Sequence, residues 1–244
     1  MKRRHEYSQN FLRSPKLVEE LVKQSSIKKD DLVLDIGAGS GVITSVLAAR
    51  VRKVIAVEYE PKTAETLRRN MIPYENVEVV INDFLTLELP KEPFKIFANI
   101  PFHLSSPIIH RFIDAHSSPK AAYLIVQKQF GRKLVATDTT HFTSQLGMII
   151  GAEYHVKVIK NLRKEDFMPR PAVDTVCIEL LKRDQPLVLK NRLKAYEKFT
   201  NECFSDPKKL AIMPLEIIGK QPGISPSRLS LDQWVLLFNT QKKY

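Results

Sequence analysis

Two short segments of this chain carry residue types that could do chemistry together. The first is Asn99-Ile100-Pro101-Phe102. An exocyclic purine amine is a poor nucleophile because its lone pair is delocalised into the ring. The Asn99 side-chain oxygen and the Ile100 carbonyl can each accept one of its N–H hydrogens and turn the lone pair toward an electrophile. Pro101 has no N–H and stiffens the loop. Phe102 offers a face on which a base can stack. Acceleration in such a site comes from positioning and electrostatics, not from a strong base. The second segment is Asp35-Ile-Gly-Ala-Gly-Ser-Gly41, in which Gly37, Gly39 and Gly41 let the backbone turn tightly and approach a ligand. It is one residue shorter than the dinucleotide pattern G-x-G-x-x-G, and so suits a nucleoside cofactor without a pyrophosphate. S-adenosylmethionine is such a cofactor. Methyl transfer to the amino group of an adenine is the chemistry that the pair of segments implies.

Further acids fit the cofactor side. Glu58, with Tyr59 beside it, closes a strand about twenty residues beyond the first glycine, where a carboxylate can accept from both ribose hydroxyls. Asp83 can accept from an adenine amino group, and Phe84 can contact the ring. Asp35, Glu58 and Asp83 each stand at or near the C-terminal end of a predicted strand, the edge at which open α/β sheets bind ligands.

The elements that must position these residues follow from periodicity. Short apolar runs predict strands over Leu32–Ile36, Val54–Glu58, Val77–Ile81, Lys95–Asn99 and Ala121–Gln127. Helical patterns lie between most of them, as at Pro61–Asn70 and Ser105–Ala115. This alternation predicts a parallel sheet covered on both faces. Tyr154–Ile159 and Thr175–Leu181 are expected to pair as antiparallel strands at one end of the sheet. Beyond Lys182-Arg-Asp-Gln-Pro186 the pattern turns to short helices, Asn191–Phe204, Pro207–Ile212, Pro214–Ile218 and Ser230–Asn239. Leu231, Trp234, Val235 and Phe238 share one face of the last, a stripe expected to be core. The division is a catalytic domain at 1–181 and a helical domain at 182–244.

Composition narrows the partners. The 244 residues include 38 Lys and Arg against 27 Asp and Glu, a net charge of +11. Such a surplus favours a polyanion through counterion release. Cys177 and Cys203 stand in no metal-binding spacing, and Cys177 lies in an apolar run, so a buried reduced thiol is expected. The histidines show no ligand spacing, and no metal is predicted. No apolar stretch approaches membrane-spanning length and no leader-like apolar region follows the basic start, so a cytoplasmic protein is expected.

The ordered set Tyr7-Ser-Gln-Asn-Phe-Leu12, Asp35–Gly41, Glu58, Asn82-Asp83, Asn99-Ile-Pro-Phe102 and Phe167-Met-Pro-Arg-Pro-Ala-Val-Asp174 resembles the ribosomal RNA adenine N6-dimethyltransferases over about residues 5–181. Asn99-Ile-Pro-Phe-His-Leu-Ser-Ser106, Tyr123-Leu-Ile-Val126, the length and the small basic C-terminal domain are similar to the erythromycin-resistance (Erm) branch. The resemblance implies a Rossmann-like class I methyltransferase sheet, mostly parallel with one antiparallel strand, and a small all-helical C-terminal domain. It also implies that Gln9, Asn10 and Leu12 belong to a segment closing over the cofactor, with Asn10, Leu12, Gly37, Glu58, Asp83 and Asn99 lining it. The implied substrate is one adenine of 23S rRNA, naked or in an assembling subunit, whose mono- or dimethylation blocks macrolide, lincosamide and streptogramin B antibiotics. Three positions depart from the commoner pattern: Ser8 for Gly, Phe102 for Tyr and Asp35 for Glu. None removes a group that the chemistry needs.

A target base must be single-stranded or flipped out to reach such a pocket. Phe167, in a loop stiffened by two prolines, is the candidate second stacking face opposite Phe102. Arg111, Lys128, Arg132, Lys133, Arg163 and Lys164 are candidate phosphate contacts. One site per chain needs no partner subunit, so a monomer is expected. The alternatives are a 16S rRNA dimethyladenosine transferase and, in another class, a non-catalytic nucleic-acid-binding relative. A DNA adenine methyltransferase fits less well, because Ile100 stands where those enzymes typically carry a second proline.

Overall fold

A computed structural model of the chain describes residues 10–114, 118–135 and 143–241. The strands are β1 (Phe11–Leu12), β2 (Leu32–Ile36), β3 (Lys53–Glu58), β4 (Val77–Ile81), β5 (Phe94–Asn99), β6 (Ala121–Gln127), β7 (Tyr154–Leu162), β8 (Phe167–Met168) and β9 (Thr175–Lys182). The helices are α1 (Pro15–Lys23), α2 (Val42–Ala48), α3 (Pro61–Met71), α4 (Ser105–Asp114), α5 (Lys128–Leu134), α6 (Gln145–Glu153), α7 (Leu193–Ser205), α8 (Pro207–Ala211) and α9 (Leu231–Asn239).

Seven strands form one sheet in the order β4-β3-β2-β5-β6-β9-β7, and β1 pairs antiparallel with β8 in a separate ribbon. The pairs β2–β3, β2–β5, β3–β4 and β5–β6 are parallel. The apolar run of β2 is buried at all five positions, as a central parallel strand must be. The expected mostly parallel sheet with one antiparallel strand is the fold observed. Strand order reverses between β2 and β5, since the chain builds outward through β3 and β4 and then returns to the other side of β2. A crevice outside the carboxyl ends of these two strands is the ligand position of such sheets.

Contacts divide the chain into two compact units, residues 1–128 with 158–180, and residues 129–157 with 181–244. In the first, Val18, Leu21, Val33, Leu47, Val54, Phe97 and Tyr123 belong to one buried cluster, with Cys177 as a free thiol. The second unit starts earlier than the expected boundary at residue 182, because it takes in α6. That helix is buried from Gly147 to Glu153 and has no polar stripe. A helix apolar all round needs neighbours on several sides, and α7 and α9 both pack on it. Trp234 is fully buried there, stacked with Phe204 and edge-on to Phe199, as its place in the apolar stripe implies. Among the described residues, no helix is long and apolar enough to cross a membrane.

Candidate active site

The glycine turn follows β2 at the point where strand order reverses. Gly37, Gly39 and Gly41 have φ of 69°, 59° and 96°, the left-handed region that other residues enter at a cost. The turn is fastened to the next strand. The N–H groups of Gly37 and Ala38 donate to the Val57 carbonyl at 2.8 and 3.1 Å. The Gly39 N–H donates to Glu58 Oε2 at 2.9 Å, and Glu58 Oε1 accepts from the Glu60 N–H at 3.0 Å. Each carboxylate oxygen of Glu58 keeps a further lone pair. From α3, Asn70 Nδ2 donates to the Ser40 carbonyl at 2.8 Å.

Beneath the turn, Asp35 is fully buried. Thr44 Oγ1 donates to its Oδ2 at 2.7 Å, while Oδ1 has no partner. Burial, opposed by the Thr44 bond and reinforced by the Glu58 charge, pushes the Asp35 carboxyl up to about 7.

The amide loop after β5 abuts this turn. A Cβ placed on Gly37 would stand 3.8 Å from Pro101 Cδ, which is van der Waals contact. Asn99 Nδ2 donates to the Asn10 carbonyl at 2.6 Å. With the amino end of the amide engaged, its oxygen is the end left for a substrate N–H. Phe102 is half-exposed and begins a short 3-10 turn, Phe102–Leu104, that leads into α4. The backbone of Ile100 is on the same loop, its side chain buried.

Several expected residues stand elsewhere. Phe167 is 1% exposed and belongs to the core cluster with Leu12 and Leu162, so it offers no open stacking face; its strand β8 is instead a support for β1, through Leu12 opposite Phe167. The Leu12 side chain is likewise in the core. The Phe84 ring is buried edge-on against Phe112, with 6.5 Å between centroids, so it presents no face to a ligand. Asp83 is half-buried and its Oδ1 accepts from the Leu85 N–H at 2.9 Å. Tyr59 is exposed. Gln9 lies outside the described residues.

Of the candidate RNA contacts, Arg111 is turned inward: it is half-buried and its guanidinium donates to the Leu87 carbonyl. Lys128 faces Asp174 at 3.8 Å, Arg163 faces Asp166 at 3.2 Å, and Lys164 donates to the Ala172 carbonyl at 2.9 Å. Arg132 and Lys133 are exposed in the last turn of α5.

One residue beside the site escapes sequence reasoning. A Cβ on Gly39 would stand 2.8 Å from the Phe11 ring, so Phe11 lies across the glycine turn. The segment Asn10–Leu12 thus reaches both loops of the site: Asn10 holds Asn99 and Phe11 covers Gly39, while Leu12 pairs with Phe167 in the core. A two-residue strand has no readable period, so only the neighbouring motif hinted at this segment.

Known proteins resemble the chain over most of its length. The family model described as ribosomal RNA adenine dimethylase matches residues 1–212. The chain is 31% identical to an rRNA adenine N-6-methyltransferase of Limosilactobacillus reuteri, covering 97% of this chain and 96% of that one. It is 28% identical to the ribosomal RNA small subunit methyltransferase A of Caldanaerobacter subterraneus, covering 98% and 97%. Among solved structures, the 23S rRNA methyltransferase ErmE superposes with a TM-score of 0.81 at 29% identity, covering 94% of this chain and 98% of that one.

Proposed function

From the premise that the chain belongs to the ribosomal RNA adenine dimethylase family, we propose that it is an S-adenosylmethionine-dependent adenine N6-methyltransferase whose target is 23S rRNA. The observation that carries the reading is the nearness of the glycine turn to the amide loop, where a Cβ added to Gly37 would stand 3.8 Å from Pro101 Cδ. It puts a nucleoside-cofactor turn and an amine-orienting loop side by side.

The residues fit the cofactor. The three glycines of the turn carry no side chains of their own, Glu58 and Asp83 are acceptors on the adjoining strand ends, and Asp35 Oδ1 is buried without a partner. When bound, S-adenosylmethionine supplies an electrophilic methyl group on a sulfonium, a charge that a carboxylate-lined site tolerates. The chain's own residues do the rest. Asn99 Oδ1 and the Ile100 carbonyl accept the two amine hydrogens and aim the nitrogen lone pair. Phe102 stacks on the base. The N–H proton, acidified as the new N–C bond forms, leaves to water. Positioning of this kind supplies several kcal/mol of barrier reduction, of order ~7–11 kcal/mol in the best oriented systems.

The preference for 23S rRNA rests on likeness to the 23S rRNA methyltransferase ErmE. Methylation there would confer macrolide, lincosamide and streptogramin B resistance on cytoplasmic ribosomes, with the enzyme acting as a monomer and without metal. A second reading, 16S rRNA methylation, is favoured by the full-length likeness to the small subunit methyltransferase. Incubation with labelled S-adenosylmethionine and either unmodified 23S or unmodified 16S rRNA, with the base mapped by primer extension, separates them. A stop at one adenine of 23S rRNA supports the proposal; label confined to 16S rRNA replaces it with the second reading. No label in either, with the cofactor still bound, refutes both and leaves a non-catalytic RNA-binding relative.

A further inference from the structure

We propose that Asn70, in the last turn of α3, is a positioning residue for the cofactor. It holds the Ser40–Gly41 peptide of the glycine turn in the orientation that receives S-adenosylmethionine. This rests on the reading of S-adenosylmethionine as the cofactor.

The turn needs to be held from outside. Three of the seven residues Asp35–Gly41 are glycine, and glycine leaves the backbone free to rotate. A ligand that fixes a free backbone loses affinity to the entropy of ordering it. β3 holds the first half of the turn, through the Val57 carbonyl and the Glu58 carboxylate, and those bonds end at Gly39. The second half closes on itself as a β-turn, in which the Gly41 N–H donates to the Ala38 carbonyl at 3.0 Å. Its φ is left-handed at Gly39 and not at Ser40, the pattern of a type II′ turn.

α3 holds this second half. Leu67, Asn70 and Met71 stand at i, i+3 and i+4, on one face of the helix. Leu67 and Met71 form a small buried cluster with Ala38 of the turn and Ala56 of β3. The same two side chains reach Gly41, where a Cβ would stand 2.7 Å from Met71 Cε and 2.8 Å from Leu67 Cδ1. Asn70 Nδ2 donates to the Ser40 carbonyl at 2.8 Å. The Ser40–Gly41 peptide is thereby fixed at both ends, its carbonyl by Asn70 and its N–H by Ala38.

The Asn70 bond directs the peptide more than it satisfies it. Asn70 and Ser40 are both exposed, so water could take the place of either partner at little cost. Asparagine is also a poorer helix former than alanine, arginine or lysine, yet it stands inside α3, one residue before its end. Its side chain leaves the helix and reaches a carbonyl 30 residues earlier in the chain. What the bond adds is a single orientation for a peptide that glycine would otherwise let rotate. A ligand that binds one orientation loses apparent affinity in proportion to the fraction of chains that hold it.

The test uses the full-length chain with Asn70→Ala, and with Asn70→Gln to put the amide back. S-adenosylmethionine and S-adenosylhomocysteine are titrated by calorimetry. Kd should rise about 3- to 10-fold in Asn70→Ala, the range of one neutral hydrogen bond, and Asn70→Gln should recover most of it. Tm should hold or rise in Asn70→Ala, because alanine is the better helix former. Arg69→Ala, where the guanidinium lies 3.4 Å from Thr66 of its own helix, should leave Kd alone. In methyl transfer by Asn70→Ala, KM for the cofactor should rise by the same factor as Kd while kcat at saturating cofactor holds, because the bond lies on the cofactor turn and not on the amide loop. An unchanged Kd in Asn70→Ala, an equal rise in Arg69→Ala, or a Tm that falls in step with affinity overturns the proposal and leaves the cofactor reading standing. A wild-type chain that binds neither compound refutes the cofactor reading itself, and the role of Asn70 falls with it.

Discussion

Alanine at Gly39 and alanine at Gly37 should differ, and the difference measures the hold of β1 on the cofactor turn. Both glycines have left-handed φ, 59° and 69°, so both alanines meet the backbone cost of that region, about 1–2 kcal/mol. Their surroundings are unlike. The new Cβ at position 37 would stand 3.8 Å from Pro101 Cδ, an ordinary contact. At position 39 it would stand 2.8 Å from Phe11 Cε1, closer than carbon atoms pack, so Phe11 must swing off the turn. Phe11 is 37% exposed, so the ring can move without unfolding the core, but its packing on the turn is lost. A partly buried ring losing about 40 Å² of contact forfeits about 1 kcal/mol. Gly37→Ala should therefore lower Tm by about 2–8 °C and Gly39→Ala by about 2–4 °C more, at the usual ~2–4 °C per kcal/mol for a chain this long. Cofactor titration by calorimetry should show the larger affinity loss for Gly39→Ala. In a double-mutant cycle, Phe11→Ala should recover about 1 kcal/mol of the Gly39→Ala deficit. Equal stability and equal cofactor affinity for the two alanine variants, with no coupling to Phe11, would refute the placement of Phe11 across the turn.

Other outcomes follow from the same geometry. Asn99→Ala should lower methyl-transfer kcat by about 10²–10³, as expected for removal of one oriented polar group, while the lost bond to the Asn10 carbonyl lowers Tm by only about 2–4 °C; retained turnover would remove Asn99 from the mechanism. The Asp35 carboxyl rises from an ordinary 3.8 to about 7, so the native chain binds the proton more tightly than the unfolded chain. Stability contributed by the neutral form is full below pH 4 and is lost as pH rises toward 7, by about 4 kcal/mol in all. Asp35→Asn should flatten that pH dependence and melt higher than wild type at pH 8; identical profiles from pH 4 to 8 would contradict it. Phe167→Ala should cost about 3–5 kcal/mol of stability, as for a buried aromatic; a small loss with a large rise in KM for RNA would instead return Phe167 to base stacking. Arg132→Gln with Lys133→Gln should weaken RNA binding and reduce its salt slope by about 1.4–1.8, and an unaltered slope would take that pair out of the interface.

The residues themselves determine the strands and both loops of the site. β2 and β6 have the bounds that their apolar runs predict, because a central strand is buried on both faces and reads as an uninterrupted run. The glycine turn and Asn99–Phe102 are legible because each needs particular residue types at adjacent positions. The local chain could not disclose what depends on distant partners. α6 has no polar stripe to give it a helical period, and its seven consecutive buried residues are explained only by the helices packed on it. For that reason the second unit begins at residue 129 rather than 182. Phe167, Phe84 and Arg111 carry side chains fit for ligand contact, yet packing assigns the two rings to the core and the guanidinium to a carbonyl. Phe11 shows the reverse: a two-residue strand that local sequence leaves unassigned is laid over Gly39 by its pairing with β8. Chemistry that needs a residue type is written locally. Whether that residue meets a ligand or the core is decided by which other element reaches its face first.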